Sequence, residues 1–207
     1  KAVFTKHTNA ETFQSEFRLL RAESATASER LVASARAADL VIMAQADKDT
    51  DRFDQRHAQA DIIRNSGRPV IVVPNGYDGP EIGDNVLIGW TDTRESARAA
   101  HDVLQIASDG ADLTLLRVGT PAADALKDAD AIDVAETIAR HGFKTTIDTR
   151  AKNGDSVAEV LENTAFEIGA ALIVTGACGH SKAYDFVIGA TTHALLRDAR
   201  LPVLFSK

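Results

Sequence analysis

Short apolar runs recur along this chain, each bounded by a turn signal, and between them apolar residues fall at helical spacing. The alternation is most regular in the second half. Val86 to Trp90 predicts a strand, and Glu95 to Ile106 predicts a helix. Leu113 to Val118 predicts the next strand, and Ala131 to His141 a helix closed by Gly142 on its C-terminal side. Lys144 to Thr149 alternates as a strand does, and Val157 to Ile168 predicts a helix capped by Asp155 or Ser156. Ala170 to Thr175 (AALIVT) is a buried-strand run. A helical pattern then begins at Ala194, Leu195 and Leu196, and Pro202-Val203-Leu204-Phe205 closes the chain. Strands separated by helices predict an α/β fold with a doubly wound parallel sheet and right-handed crossovers. A ligand crevice is expected at the carboxyl ends of the strands.

The first half repeats part of this pattern. Ala38 to Met43 (ADLVIM) echoes Ala170 to Thr175, and Pro69-Val70-Ile71-Val72-Val73 echoes the closing strand. Between them, Ala60-Asp61-Ile62-Ile63-Arg64 stands where His193-Ala194-Leu195-Leu196-Arg197 stands in the second unit. Gly76, Gly79, Pro80 and Gly83 mark a turn-rich linker. The expected division is therefore 1–83 and 84–207, two tandem units of Rossmann-like type. The first unit reads as incomplete. Phe17 to Leu20 predicts a counterpart of the third strand and Ser28 to Ala38 a helix, but the region before Phe13 is too short for two strands and two helices. A parallel sheet without its centre leaves backbone groups unpaired. The expectation is that residues are missing from this sequence, and that Lys1 to Thr5 is the remnant of an early strand.

The loop after AALIVT carries the chemistry. Gly176, Ala177, Cys178 and Gly179 follow the strand, then nine residues, then Gly189, Ala190, Thr191 and Thr192 ahead of the helix. Glycines let backbone approach an anion, and helix N-terminal amides point at it with the dipole behind them. One reading is a phosphate cradle, with Thr191 and Thr192 supplying hydroxyls. The other is a tight strand-to-helix turn with a threonine cap. Cys178 has the same two faces: a thiol activated near a helix terminus, or a small residue in a variable loop. His180 beside phosphates invites acid–base chemistry, yet no nucleophile, carboxylate pair or metal-spaced cluster accompanies it, so no catalytic or metal-ligating residue is assigned.

The stretch GACGHSKAYDFVIGATTHALLRDARLPVLFSK resembles the C-terminal signature of the universal stress protein family, G-x2-G-x9-G-[S/T] followed by paired leucines and PVL. Gly176, Gly179, Gly189, Leu195, Leu196 and Pro202-Val203-Leu204 match at the right spacings. The resemblance, to the tandem-domain bacterial type, implies the strand order 3-2-1-4-5 in each unit. It also implies a loop that holds the phosphates of ATP, with magnesium as companion ion, and GHS as a loop element without assigned chemistry. Ala190 stands where the signature has a hydroxyl residue, with Thr191 one place later. The family's V-x-W-D-G-S at the end of the first strand is here VLIGWTDTRES. Aligned on Trp90, Thr91 takes the aspartate position and Asp92 the glycine position, ahead of Thr93. Asp92 reads equally as a helix cap. Val118 falls where the family places an adenine-facing residue, and core packing accounts for a valine there equally well. The implied nucleotide contacts are thus Thr91, Asp92, Thr93, Val118, Gly176, Gly179, His180, Gly189, Ala190, Thr191 and Thr192. In the first unit the matching loop, Ala44 to Asp49, has no glycine and offers Asp47 and Asp49, which repel phosphate.

The resemblance therefore implies a stress-response or regulatory protein, not an enzyme, with one adenine-nucleotide site in the C-terminal unit. It also implies that the two units pair through their last strands, and that the chain forms a homodimer. The alternatives are an interaction module of the same fold that binds no nucleotide, and an adenine-nucleotide alpha-hydrolase. Such hydrolases carry an SGGxDS-like loop where this chain has WTDTRES.

Composition narrows the partners. The 207 residues are 44% hydrophobic and 26% charged, with a formal net charge of −7. An acidic chain is not expected to bind nucleic acid or anionic membranes. No apolar run approaches the roughly 20 residues that span a bilayer. The single cysteine excludes an internal disulfide framework and fits a reducing cytoplasm.

Overall fold

The computed structural model describes residues 2–9, 11–21, 23–47, 53–119, 128–177 and 189–207. In chain order the elements are α1 (Ala2–Thr8), α2 (Ser24–Ala35), β1 (Val41–Ala44), α3 (Phe53–Asn65), β2 (Val70–Val73), β3 (Asn85–Gly89) and α4 (Arg94–Asp102). After a 3-10 turn at Val103–Gln105 follow β4 (Asp112–Val118), α5 (Asp128–Arg140), β5 (Lys144–Arg150), α6 (Val157–Glu167), β6 (Leu172–Gly176), α7 (Ala190–Asp198) and β7 (Val203–Ser206).

All seven strands join one sheet in the order β1-β2-β7-β6-β3-β4-β5. Numbered within the second unit, β5-β4-β3-β6-β7 is the expected 3-2-1-4-5, and its pairs are all parallel. The two units meet where β2 pairs antiparallel with β7, with Val70 opposite Phe205, Ile71 opposite Leu204 and Val72 opposite Val203. The last strands thus pair as the sequence led one to expect. The contact is made within the chain and turns two apolar edges into sheet interior.

The central strands β2, β3, β6 and β7 are buried along most of their length because helices cover both faces of the sheet there. On one side α2, α3, α6 and α7 pack Val32, Ile63, Leu161 and Leu195 against Leu87, Ile173 and Phe205. On the other, α4, the 3-10 turn after it and α5 pack Ala99, Val103 and Ile138 against Ile88, Leu115 and Leu204. Local signals set the helix ends. Ser156 caps α6 in a reciprocal box, its side chain accepting from the Glu159 amide at 3.2 Å while Glu159 accepts from the Ser156 amide at 2.7 Å. Gly142, at φ 93°, terminates α5 as expected.

The structure corrects four expectations. Phe17 to Leu20 forms no strand; the segment is irregular, and Leu19 is 69% exposed. In the 3-2-1-4-5 order a third strand pairs only with the second, and β1 and β2 offer it no such edge. A strand remnant is expected at Lys1 to Thr5, but Ala2–Thr8 is helical. A helix satisfies its backbone without a partner strand, and a short apolar run does not distinguish the two. Phe4 of α1 packs on Phe17 with ring centroids 5.5 Å apart. The third and fourth concern helix starts: α2 begins at Ser24 rather than Ser28, and α7 at Ala190 rather than Ala194. Among the described residues no helix is long and apolar enough to cross a membrane.

Candidate functional site

The second unit's central strands end together, and their carboxyl ends face the N-termini of α4, α6 and α7. Between them lies a cleft of about 430 Å³. Gly89, Trp90, Leu116, Val118, Val157 and Leu161 form its apolar part, and Thr91, Thr93, Ser96, Thr175, Thr191 and Thr192 supply hydroxyls. Of the residues singled out in the sequence, Thr91, Thr93, Val118, Gly176, Gly189, Ala190, Thr191 and Thr192 all line it. Gly179 and His180 lie outside the described residues, as does Cys178. Asp92 is exposed and is not among the residues that line the cleft. Nor does it cap α4. Thr93 is the cap, its hydroxyl oxygen accepting from the Ser96 amide at 3.2 Å. Asp92 sits at the tip of a tight bend, closed by the Thr93 amide donating to the Thr91 carbonyl at 2.7 Å, which separates it from its neighbours Thr91 and Thr93.

Thr91, at the family's aspartate position, shares a 2.9 Å hydrogen bond with the Ser96 hydroxyl. Its oxygen is therefore tied to the first turn of α4. Gly176 shows why β6 ends in glycine. A Cβ there would lie 2.6 Å from both the Glu95 carbonyl carbon and the Ser96 amide nitrogen. The strand end and the helix start touch, and no side chain fits between them.

Gly189 differs. It is the N-cap of α7, at φ −60° and ψ 150°, and among the described residues no side chain caps that helix. A Cβ on Gly189 would meet nothing within 4 Å. The backbone there is ordinary extended chain, so left-handed geometry does not explain the glycine. The first amides of a helix have no partner within it, and here they open on the cleft. The threonine cap considered for this helix is not formed: Thr192 lies inside α7 and is buried.

Two charged residues line the cleft that sequence reasoning did not single out, Glu95 and Lys152. Glu95 is buried in the first turn of α4, and its Oε1 accepts from Arg94 Nε at 2.5 Å. Burial works to raise its pKa, but the hydrogen bond from Arg94, aided by the backbone and the charges of Arg94 and Lys207, outweighs it. The carboxyl is held below the usual range. Lys152 is exposed on the turn after β5, ahead of Asn153 at φ 49° and Gly154 at φ 101°. The KNGD turn marks this strand end in the sequence, and every strand end in an open α/β sheet is a candidate rim. That signal would have found Lys152.

Among the described residues of the first half, side chains close over the end of β1. At the end of β1 the Gln59 side-chain amide donates to the Ala44 carbonyl at 2.6 Å, and the Gln45 amide reaches across to the Ala199 carbonyl at 3.3 Å. Side chains thus occupy the strand end that in the second unit faces the cavity. Asp47 is exposed nearby, and Asp49 lies outside the described residues.

Comparison with known proteins agrees with this architecture. The universal stress protein family model matches residues 83–207, more than half of the chain. A universal stress protein from Archaeoglobus fulgidus DSM 4304 superposes with a TM-score of 0.67 at 16% identity, over 87% of this chain and 64% of that one. This chain therefore spans somewhat less than two thirds of that relative. A putative universal stress protein from Pseudomonas aeruginosa UCBPP-PA14 gives a TM-score of 0.61 at 17% identity, over 100% of this chain and 76% of its own. At these identities the likeness is one of fold. No curated protein matches the sequence. On the family match and the sheet order together, the chain belongs to the universal stress protein family.

Proposed function

We propose that the cleft binds an adenine nucleotide, with ATP and magnesium as the first candidates, and that the protein acts as a stress-response or regulatory binding protein in the cytoplasm rather than as a catalyst. The observation that carries this reading is the uncapped N-terminus of α7 opening on a cleft of about 430 Å³. That is within the roughly 300–1,000 Å³ usual for small-molecule sites. Unpaired amides and the helix dipole favour phosphate at one end. The apolar walls at Val118, Val157 and Leu161 suit a base at the other. Glu95 is the one acidic residue among the described lining residues and is the group that fits a phosphate-bound magnesium ion. In this proposal residues 84–207 form the binding unit and residues 1–83 a supporting unit without a site. Isothermal titration of ATP with magnesium tests it. Heat corresponding to one site per chain supports the reading, and no heat at millimolar nucleotide defeats it.

A second reading, an interaction module without nucleotide, draws support from Thr91, whose hydroxyl is already bonded to Ser96. The same titration separates the two.

A further inference from the structure

Of the helices that begin at the cleft, α7 and α4 differ in charge at their ends. At α7 the amides are uncapped beside Gly189. At α4 the Thr93 hydroxyl caps the helix, and the Glu95 side chain, only 5% exposed, adds a negative charge in the first turn. An acidic residue at this position offsets the positive end of the helix dipole. Close packing fixes it in place, since the missing side chain of Gly176 lets the Glu95 turn lie directly on the end of β6. The polar end of the cleft is therefore split: α7 offers amides to an anion, while α4 offers a buried carboxylate.

We propose that Glu95 makes the cleft selective for a nucleotide that arrives with a divalent cation, the carboxylate anchoring the ion while α7 holds the phosphates. The inference rests on the nucleotide reading above. A polyphosphate without metal sets like charges against each other in a partly buried space, where their repulsion is weakly screened. Magnesium reverses the sign. It is commonly held by one or two carboxylates together with substrate phosphates and retained waters, and this cleft supplies one carboxylate. Arg94 is the group that the ion displaces. Its side chain is 84% exposed, and its pairing with Glu95 is the contact that the ion replaces. The cation thus acts as an admission requirement set by one side chain.

The test is calorimetric titration of the full chain with ATP, in magnesium and in EDTA, for wild type, Glu95→Gln and Glu95→Asp, each checked by thermal melting. Wild type should lose affinity by about tenfold or more in EDTA, the effect of one weakly screened like charge. Glu95→Gln should bind ATP with nearly equal affinity in both buffers, because the repulsion and the anchor vanish together. Glu95→Asp should keep the magnesium dependence. Equal wild-type affinity in the two buffers overturns the proposal, and so does an undiminished magnesium dependence in Glu95→Gln. Absence of binding by every protein in both buffers overturns the nucleotide reading itself.

Discussion

Gly176 and Glu95 meet where β6 ends and α4 begins, so closely that a Cβ on the glycine would stand 2.6 Å from the glutamate's carbonyl carbon. The contact sets the spacing of the cleft's polar end. Because the obstructing atoms are backbone, a side chain can be accommodated only by moving the helix. Gly176→Ala should destabilise the protein by roughly 1–3 kcal/mol, the usual cost of overpacking, and displace α4. Urea denaturation measures the loss. An unchanged midpoint would mean that the helix start is free to shift.

Gly189 predicts the opposite sign. Its backbone suits any residue and its surroundings are open, so Gly189→Ser supplies the missing cap to α7. Stability should rise by a few tenths of a kcal/mol. Nucleotide affinity should fall, because the new hydroxyl competes with phosphate for the same amides. Thermal melting and titration on one preparation check both. A serine variant that melts higher and binds ATP as wild type does would place the phosphates elsewhere.

The β2–β7 seam makes one sheet of two units. Leu204 is fully buried opposite Ile71. Leu204→Ala should cost about 2–5 kcal/mol while preserving a single unfolding transition, since no layer of solvent divides the halves. Two separate transitions by circular dichroism would show that the units fold independently of the seam.

Acid lability should depend on Glu95. Its folded pKa is depressed, so its contribution to stability is present above the ordinary value of 4.5 and is lost as pH falls through the lower folded value. Melting temperature should therefore drop more steeply below pH 4.5 in wild type than in Glu95→Gln. Parallel profiles would show that the Arg94 pairing contributes nothing.

The second unit was legible in the sequence because each of its signals is local. Buried strands such as AALIVT, the Ser156–Glu159 box and Gly142 each specify one boundary from neighbouring residues. The N-terminal segment was not legible, because whether KAVFT and Phe17 to Leu20 become strands depends on a distant sheet edge. Tertiary context decided against both. The candidate site was legible where glycine spacing and strand ends marked it, at Gly176, Gly189, Thr91 and Val118. Glu95 was missed because a glutamate in a first helical turn is an ordinary dipole partner. Only packing against Gly176 shows that it is buried and faces the cleft.

The central claim is one nucleotide site, in the second unit. Equilibrium dialysis of the purified chain against labelled ATP with magnesium, carried to saturation, measures it most directly. The account predicts one nucleotide per chain, lost in Gly176→Ala. Two per chain would show that the first unit binds despite Gln59 and Gln45 at its strand end, and none at millimolar ATP would contradict the account altogether.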